Sequence, residues 1–254
     1  MTHTLEGWGV LVTRPTGRHL GLCEGIRAAG GHPVHLPGVE IEALARARPQ
    51  EALGHLTVDD WAIFVSTAAV QHTGAALASI PEGVRLAAVG ETTADALIEA
   101  GCRGVLTPAH GGSEALLSVL PRAAVENQQI LIVRGEGGRE RLARGLEETG
   151  AQVSYLEVYR RHRPAVAPAG ALSALDADAV HALTVSSGEI LDNVLHLLGK
   201  ERRKKVLGLP LVVPSERVAE RARAAGFSGL VASTSPSDDA VVDTLLELRD
   251  KIGQ

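Results

Sequence analysis

The strongest constraint on the fold is an internal repeat, because the first part of the sequence recurs about 120 positions later. Each half of the repeat contains a short apolar run, a loop with hydroxyl or arginine side chains, and an amphipathic segment. The aligned segments are Val12-Thr13-Arg14 with Ile132-Val133-Arg134, Val65-Ser66-Thr67 with Val185-Ser186-Ser187 and, after five more inserted residues, Val105-Leu106 with Leu230-Val231. An offset this steady favours a duplicated α/β unit over one large sheet.

The opening of the chain illustrates the repeating unit. Residues 9–13 form a β-branched apolar run, residues 20–31 have helical spacing and end at a glycine pair, and residues 32–36 form a second apolar run. This order predicts a β-α-β unit with parallel strands. Further strands are predicted at residues 61–65, 86–90, 105–107, 130–133, 152–161, 180–184, 211–213 and 229–232, most of them followed by a helical pattern.

Three segments have weaker patterns. Residues 40–49 show no clear strand periodicity, and the Pro/Ala-rich residues 164–171 are typical of a bridge. Ser113, followed by Glu114, is compatible with a helix N-cap, although the capping-box glutamate is not at the third position. We therefore predict linkers at the first two segments and a helix that starts at Ser113.

Composition excludes several classes of protein. The net charge is −5 and the arginines are interspersed with acidic residues, which does not suggest a nucleic-acid partner. No apolar run is long enough to span a bilayer, and the first residues lack the pattern of a signal peptide, so we predict a cytoplasmic protein. Cys23 and Cys102 have no CxxC spacing, so neither a disulfide framework nor a metal site is predicted.

Small and hydroxyl-bearing residues recur where a predicted strand ends and a helix begins. The unpaired N–H groups at such positions suit carboxylates or phosphates. Each position alone is explained as well by helix capping, but seven positions in two matching sets favour a ligand with many negative groups. They are Thr13-Arg14, Ser66-Thr67, Gly90 to Thr93, Arg134-Gly135, Ser186 to Gly188, Ser215 and Ser235 to Ser237.

Motifs for common chemistries are missing. Residues 135–138 do not have the GxGxxG order of a dinucleotide site, and no Walker lysine, nucleophile elbow or paired-carboxylate pattern occurs. The two tyrosines, Tyr155 and Tyr159, lie on one face of a predicted strand. A phenol can act as a general acid, but for Tyr155 an amphipathic packing role is the preferred explanation.

Taken in order, these segments resemble the uroporphyrinogen-III synthase family over nearly the whole chain. The resemblance lies in the order and spacing of motifs that are individually weak. The motifs are VLVTRP at 10–15, FVSTAAV at 64–70, AVGETTADALIEAG at 88–101, ILIVRGEGGRERL at 130–142, LEVYRR at 156–161 and TVSSGEI at 184–190.

The resemblance implies an α/β fold of two domains, each a mostly parallel sheet flanked by helices. Two extended linker segments, near Gly38 and Arg161, would join them. One domain would contain residues 1–37 and 165–254, and the other residues 38–164.

The resemblance also implies an activity. Members of the family are lyases of tetrapyrrole biosynthesis that cyclise hydroxymethylbilane, with inversion of its last pyrrole ring through a spiro-pyrrolenine, and use no metal or organic cofactor. By resemblance we expect a monomer that binds no nucleic acid and no membrane. Tyr159 matches the family's tyrosine and would protonate or orient the departing hydroxyl. The residues expected to hold the substrate are Arg14, Ser66, Thr67, Ala68, Thr92, Thr93, Arg134, Gly135, Ser186, Ser187, Gly188 and Ser215.

Two positions depart from the family pattern. Val65 and Val218 stand where the family often has threonine. These departures leave an alternative open, namely a non-catalytic two-lobed paralogue that binds a tetrapyrrole or another polyanion. The two interpretations differ in whether the protein changes the isomer of the cyclic product.

Overall fold

The computed structural model describes residues 4–138 and 140–252, which divide into two compact units. Unit 1 contains the residues up to Glu40 and those from His162 onward, and unit 2 contains Ile41–Arg161. The strands are β1 (Gly9–Val12), β2 (His32–His35), β3 (Glu40–Ala43), β4 (Trp61–Phe64), β5 (Arg85–Ala88), β6 (Gln129–Gly135), β7 (Gln152–His162), β8 (Ala182–Thr184), β9 (Leu211–Val213) and β10 (Leu230–Ala232).

Helices connect most of these strands, and a 3-10 segment at Gly74–Ser79 follows the third helix. The helices are α1 (Leu20–Ala28), α2 (Pro49–Gly54), α3 (Thr67–Thr73), α4 (Glu91–Glu99), α5 (Ser113–Val119), α6 (Arg122–Val125), α7 (Arg141–Glu147), α8 (Ala169–Asp176), α9 (Gly188–Leu197), α10 (Gly199–Leu207), α11 (Glu216–Ala225) and α12 (Asp238–Ile252).

Unit 1 is built on a five-stranded sheet with the order β10-β9-β8-β1-β2, in which all neighbouring strands are parallel. Alternate residues of β1 face opposite sides of this sheet. Leu11 belongs to an apolar cluster with residues of α9 and α11, whereas Val10 and Val12 pack with residues of α1 and α12. The chain therefore buries both faces of the sheet under helices, as parallel sheets require.

Unit 2 has a sheet of order β3-β7-β6-β4-β5, in which β7, β6, β4 and β5 are parallel. Phe64 and Val133 face one apolar cluster, and Ile63 and Ile132 face the other. Ala87 of β5 adds a single parallel bridge to Leu106. The predicted class, two mostly parallel sheets flanked by helices, is confirmed.

Apart from the edge strand β3, which only unit 2 has, the two sheets have the same spatial order. β2-β1-β8-β9-β10 of unit 1 corresponds to β7-β6-β4-β5 and the Leu106 bridge of unit 2. The corresponding strands are the ones that the sequence offset aligns, which agrees with a duplicated unit. In both sheets the strand order reverses next to the strand that opens the repeat, between β1 and β8 and between β6 and β4.

Several local predictions were wrong. The strand predicted at 105–107 is only the Leu106 bridge. The last residues of the Pro/Ala-rich bridge, from Ala169, already belong to α8, which continues to Asp176. The helix predicted to start at Ser113 is confirmed as α5, but its N-cap is Gly112, whose φ of 133° suits glycine, and not Ser113.

The segment predicted to be a linker at 40–49 contains β3, and its strand depends on contacts distant in sequence. The Leu44 N–H donates to the Val158 carbonyl at 3.0 Å. The Arg160 guanidinium donates to Glu42 Oε2 from Nε at 2.9 Å and from Nη2 at 2.7 Å. Pairing with β7 therefore creates a strand that local periodicity does not indicate.

Candidate functional site

The carboxyl ends of β4 and β6 form the switch point of the unit 2 sheet. β6 ends at Arg134 and Gly135, and the chain leaves β4 through Val65 and Ser66. Ligands of doubly wound sheets bind outside the carboxyl ends of the strands at such a point. Side chains that reach this edge are therefore the candidates for function in unit 2.

Tyr159 reaches this edge from β7. The pairing of β6 with β7 shifts register between Arg134 and Gly135, so that Tyr159 stands opposite Gly135. A Cβ atom at residue 135 would lie 2.5 Å from Tyr159 Cε2, so the ring occupies space that only glycine leaves free. The Tyr159 residue is 7% exposed, and its ring centroid lies 5.6 Å from that of His72.

The Tyr159 hydroxyl is held by Ser66. Its oxygen lies 3.1 Å from Ser66 Oγ, and either hydroxyl can be the donor. Ser66 is the N-cap of α3, and its Oγ accepts the Ala69 N–H at 3.1 Å. The phenol therefore has a fixed position and one hydroxyl neighbour that can donate to it or accept from it.

Arg134 is the second notable group at this edge. The residue is 7% exposed, and its Nε and Nη1 have no hydrogen-bond partner in the described parts of the chain. Its Nη2 donates to Glu157 Oε1 at 3.3 Å, and its Cζ lies 3.9 Å from the centre of the Tyr155 ring. Buried donors without acceptors are costly, so an anion that supplied an acceptor would bind favourably here.

Hydrogen bonds of Glu157 connect the loop after β6 to β7. Its carboxylate accepts one hydrogen bond from the Gly137 N–H at 3.2 Å and another from Arg46 Nη2 at 3.3 Å. Arg46 Nη2 also donates to Glu136 Oε1 at 2.5 Å.

The sequence interpretation missed Glu157, Arg46 and His72. In a regular strand Glu157 lies on the same face as Tyr155, which is the one signal that could have identified it. The register shift instead places Tyr159 in an apolar cluster with Leu156 and Val158, so the expectation that both tyrosines share one face is wrong.

The other expected residues of unit 2 differ in accessibility. Thr92 is exposed and Thr67 is half-buried, each in the first turn of a helix. Ala68 and Thr93 are buried. Because these two side chains face the interior, direct contact between them and a substrate is not supported.

Arg14 of unit 1 has a structural contact that the sequence did not indicate. Its Nη1 forms an ion pair with Asp238 in the first turn of α12, and its Nη2 donates to the Pro236 carbonyl at 2.9 Å. Both terminal nitrogens of Arg14 are therefore used within the unit, so the expectation that it contacts a substrate is not supported.

Beside this arginine, two histidine rings are stacked. His35 Nε2 lies 2.9 Å from the Arg14 carbonyl oxygen, to which it donates, and its ring centroid is 3.7 Å from that of His19. Burial lowers the pKa of His35, the hydrogen bond to the Arg14 carbonyl partly opposes this effect, and His19 lowers the pKa further. His35 therefore favours its neutral form in the folded protein.

The remaining expected residues of unit 1 lie at helix starts. Ser187 caps α9, because its Oγ accepts the Ile190 N–H at 3.3 Å, while Ser186 is exposed. Gly188 packs against Arg221, and Ser215 is exposed at the N-cap position of α11. The exposed hydroxyls of Ser186 and Ser215 are available to an anion.

Two features are absent from the described ranges, 4–138 and 140–252. No helix in them is both long enough and apolar enough to cross a membrane. Within the same ranges, no group of three or more His, Cys, Asp or Glu side chains could hold a metal ion. The thiols of Cys23 and Cys102 are both free.

Comparison with known proteins identifies the family. Residues 22–243 match the family model described as "Uroporphyrinogen-III synthase HemD". The chain belongs to the uroporphyrinogen-III synthase family. It is 32% identical over 244 residues to uroporphyrinogen-III synthase of Salmonella typhimurium, covering 93% of this chain and 99% of the relative. It is 31% identical over 246 residues to the Escherichia coli uroporphyrinogen-III synthase, with the same coverage of both chains.

Solved structures of the family have the same fold. A mutant uroporphyrinogen III synthase from Thermus thermophilus aligns with a TM-score of 0.57 at 18% identity, covering 97% of this chain and 99% of that one. The Helicobacter pylori uroporphyrinogen-III synthetase aligns with a TM-score of 0.58 at 16% identity, covering 95% and 100%. Uroporphyrinogen-III synthases are enzymes, so family membership confirms the catalytic interpretation over the non-catalytic alternative.

Proposed function

We propose that this member of the family converts hydroxymethylbilane into uroporphyrinogen III, with Tyr159 as the general acid. The observation that carries this proposal is the position of the Tyr159 hydroxyl, 3.1 Å from Ser66 Oγ at the switch point of unit 2. The reaction starts when the terminal hydroxyl of the substrate leaves as water. A phenol with a fixed position can donate the proton that this departure requires.

Arg134 is proposed to bind one carboxylate arm of the substrate. Its Nε and Nη1 are buried without acceptors in the described residues, and a carboxylate would supply one. Charge-assisted hydrogen bonds between a guanidinium and a carboxylate are stronger than neutral ones. The exposed hydroxyl of Thr92 suits a second carboxylate more weakly, because an exposed contact competes with water.

The test is an isomer assay with purified protein. With hydroxymethylbilane, the wild type is expected to yield the type III product in excess of the type I isomer that forms without an enzyme. Tyr159→Phe removes one positioned donor and should lower kcat by about 100- to 1000-fold. Tyr155→Phe is the matched control, since it removes the other phenol and keeps the ring under Arg134.

Two outcomes would contradict the proposal. If the wild type yields only type I product, the activity is wrong. If Tyr159→Phe keeps wild-type kcat while Tyr155→Phe does not, Tyr159 is not the acid. A thermal unfolding curve of each variant separates these outcomes from a loss of fold.

We further propose that the enzyme acts as a cytoplasmic monomer on a free small molecule. The excess of 30 acidic over 25 basic residues supports the absence of a nucleic-acid partner. Light scattering over a range of protein concentrations tests the oligomeric state. A molecular mass that rises with protein concentration would contradict the proposed monomer.

A further inference from the structure

Ser66 makes two contacts with a single hydroxyl group. Its Oγ accepts the Ala69 N–H at 3.1 Å and lies 3.1 Å from the Tyr159 oxygen. A serine hydroxyl has one hydrogen and two lone pairs. Since the Ala69 N–H uses one lone pair, Ser66 can still direct its hydrogen to the phenol oxygen.

The duplicated unit shows that capping does not require the contact with tyrosine. Ser187 caps α9 in unit 1 in the same way, with its Oγ accepting the Ile190 N–H. The residue that the offset of 120 aligns with Tyr159 is Val39, which is fully buried and has no hydroxyl. The contact between Ser66 and tyrosine is therefore additional to the capping that both units share.

We propose that Ser66 is a positioning residue that donates its hydroxyl hydrogen to the Tyr159 oxygen and stabilises the phenolate when the phenol gives up its proton. This proposal rests on the proposed acid role of Tyr159. It assigns Ser66 to the chemistry of the tyrosine, in place of the substrate carboxylate that the sequence suggested.

In the proposed step Tyr159 gives up one proton and later regains one. The O–H bond of Tyr159 breaks and its proton passes to the leaving hydroxyl, which departs as water with the electron pair of the C–O bond. The phenolate left on Tyr159 accepts the hydrogen bond from Ser66. When the last ring closes, its carbon loses a proton to the phenolate, which restores the phenol, so that the net change is the loss of one water.

Steady-state kinetics of Ser66→Ala provide the first test. The hydrogen bond from Ser66 is strongest when Tyr159 carries the negative charge, which happens only during the reaction. Its loss should therefore lower kcat about 10- to 100-fold while KM stays within about twofold. Ser66→Thr keeps both the cap and the hydroxyl and should restore most of kcat.

A second hydroxyl of α3 controls for the loss of stability. Thr73 is buried, and its Oγ1 donates to the Ala69 carbonyl at 2.8 Å. Thr73→Val should lower thermal stability and leave kcat unchanged. Equal losses of kcat in Ser66→Ala and Thr73→Val would assign the effect to stability and overturn the proposal.

The double variant tests whether Ser66 acts through Tyr159. Once the phenol is absent, Ser66→Ala should cause no further loss beyond that of Tyr159→Phe. An additional loss of 10-fold or more in the Tyr159→Phe background would mean that Ser66 acts independently, and the proposal would be wrong.

A spectroscopic measurement separates this proposal from the proposed activity, because it needs no turnover. In a Tyr155→Phe background Tyr159 is the only tyrosine in the chain, and the intensity ratio of the tyrosine Raman doublet reports the hydrogen bonds of its phenol. Ser66→Ala should lower that ratio, as expected when the phenol oxygen loses a hydrogen-bond donor. An unchanged ratio would overturn the role of Ser66 even if the isomer assay succeeds.

Discussion

The two units use equivalent residues in opposite ways at the ends of their opening strands. In unit 1 the Arg14 guanidinium is paired with Asp238, and His35 donates to its backbone carbonyl. In unit 2 the Arg134 guanidinium lies over the Tyr155 ring and keeps two buried donors unpaired among the described residues. The offset of 120 aligns Arg14 with Arg134 and His35 with Tyr155.

One pair of aligned positions differs in charge. With the later offset of 125, Asp238 of α12, which pairs with Arg14, aligns with Ser113 of α5. The position that supplies a carboxylate in unit 1 therefore has a short neutral side chain in unit 2. A buried polar group left unsatisfied by the fold is a frequent sign of a binding site. The comparison therefore separates a structural arginine in unit 1 from a ligand-binding candidate in unit 2.

The largest expected effect comes from Gly135→Ala, which removes the space that Tyr159 occupies in unit 2. The added Cβ would lie 2.5 Å from the ring, so the ring must move and its hydroxyl must leave Ser66. We expect kcat to fall at least 100-fold and the free energy of unfolding to fall by about 1–3 kcal/mol. Gly170→Ala, where a Cβ would meet no atom within 4 Å, is the control.

The same collision predicts a non-additive result. If Gly135→Ala acts by displacing Tyr159, it should reduce kcat only slightly when Tyr159→Phe is already present. A full 100-fold loss in that background would show that residue 135 acts without the tyrosine.

An exchange of Asp238 and Ser113 tests the comparison directly, with an expected effect of about 1–2 kcal/mol on unfolding. Asp238→Ser leaves Arg14 without its carboxylate and should destabilise the protein. Ser113→Asp offers Arg134 an acceptor and should stabilise the fold by up to about 1 kcal/mol, while it raises KM by competing with the substrate carboxylate. Urea unfolding and steady-state kinetics measure the two effects.

Each exchange has a neutral control. Asp239→Ser removes an exposed carboxylate from the same helical turn, so it should cost less than Asp238→Ser. Ser113→Asn adds similar volume without charge. If Ser113→Asn and Ser113→Asp have the same stability and KM, Arg134 does not receive the new carboxylate and the alignment of the two units fails at this position.

The sequence predicted the two sheets because apolar runs of strand length, each followed by helical spacing, recur with a fixed offset. It also predicted which loops carry the candidate groups, since parallel strands end at the same edge of a sheet. Ser66 and Arg134 were identified in this way, whereas the role of Tyr159 followed from the family resemblance. Their presence follows from local patterns, and their distances do not.

Contacts between distant segments were beyond prediction from one sequence. Arg14 and Asp238 are 224 positions apart, and neither position alone indicates a pair. The register shift between Arg134 and Gly135 decides that Tyr159 faces Gly135, and strand periodicity does not predict where such an irregularity occurs. β3 was missed for the same reason, because its pairing with β7 determines it more than its own residues do.

The smallest effect is expected from pH, through His35 of unit 1. Burial lowers the pKa of His35, so the unfolded chain binds the proton more readily than the folded one. The His35 contribution to stability is therefore complete above about pH 6.5, the ordinary value for histidine, and is lost as the pH falls through the lower pKa of the folded state. The residue of unit 2 that aligns with His35 is Tyr155, which has no imidazole.

Hydrogen exchange at pH 7.5 and 5.5 can detect this difference, with each rate corrected for the intrinsic effect of pH. Peptides from β1 and β2, next to His35, should lose protection in acid more than peptides from β6 and β7. His35→Gln keeps a side-chain N–H that can donate to the Arg14 carbonyl and cannot titrate, so it should remove the excess loss in unit 1. Equal loss in both units of the wild type, unchanged by His35→Gln, would mean that this histidine does not distinguish them.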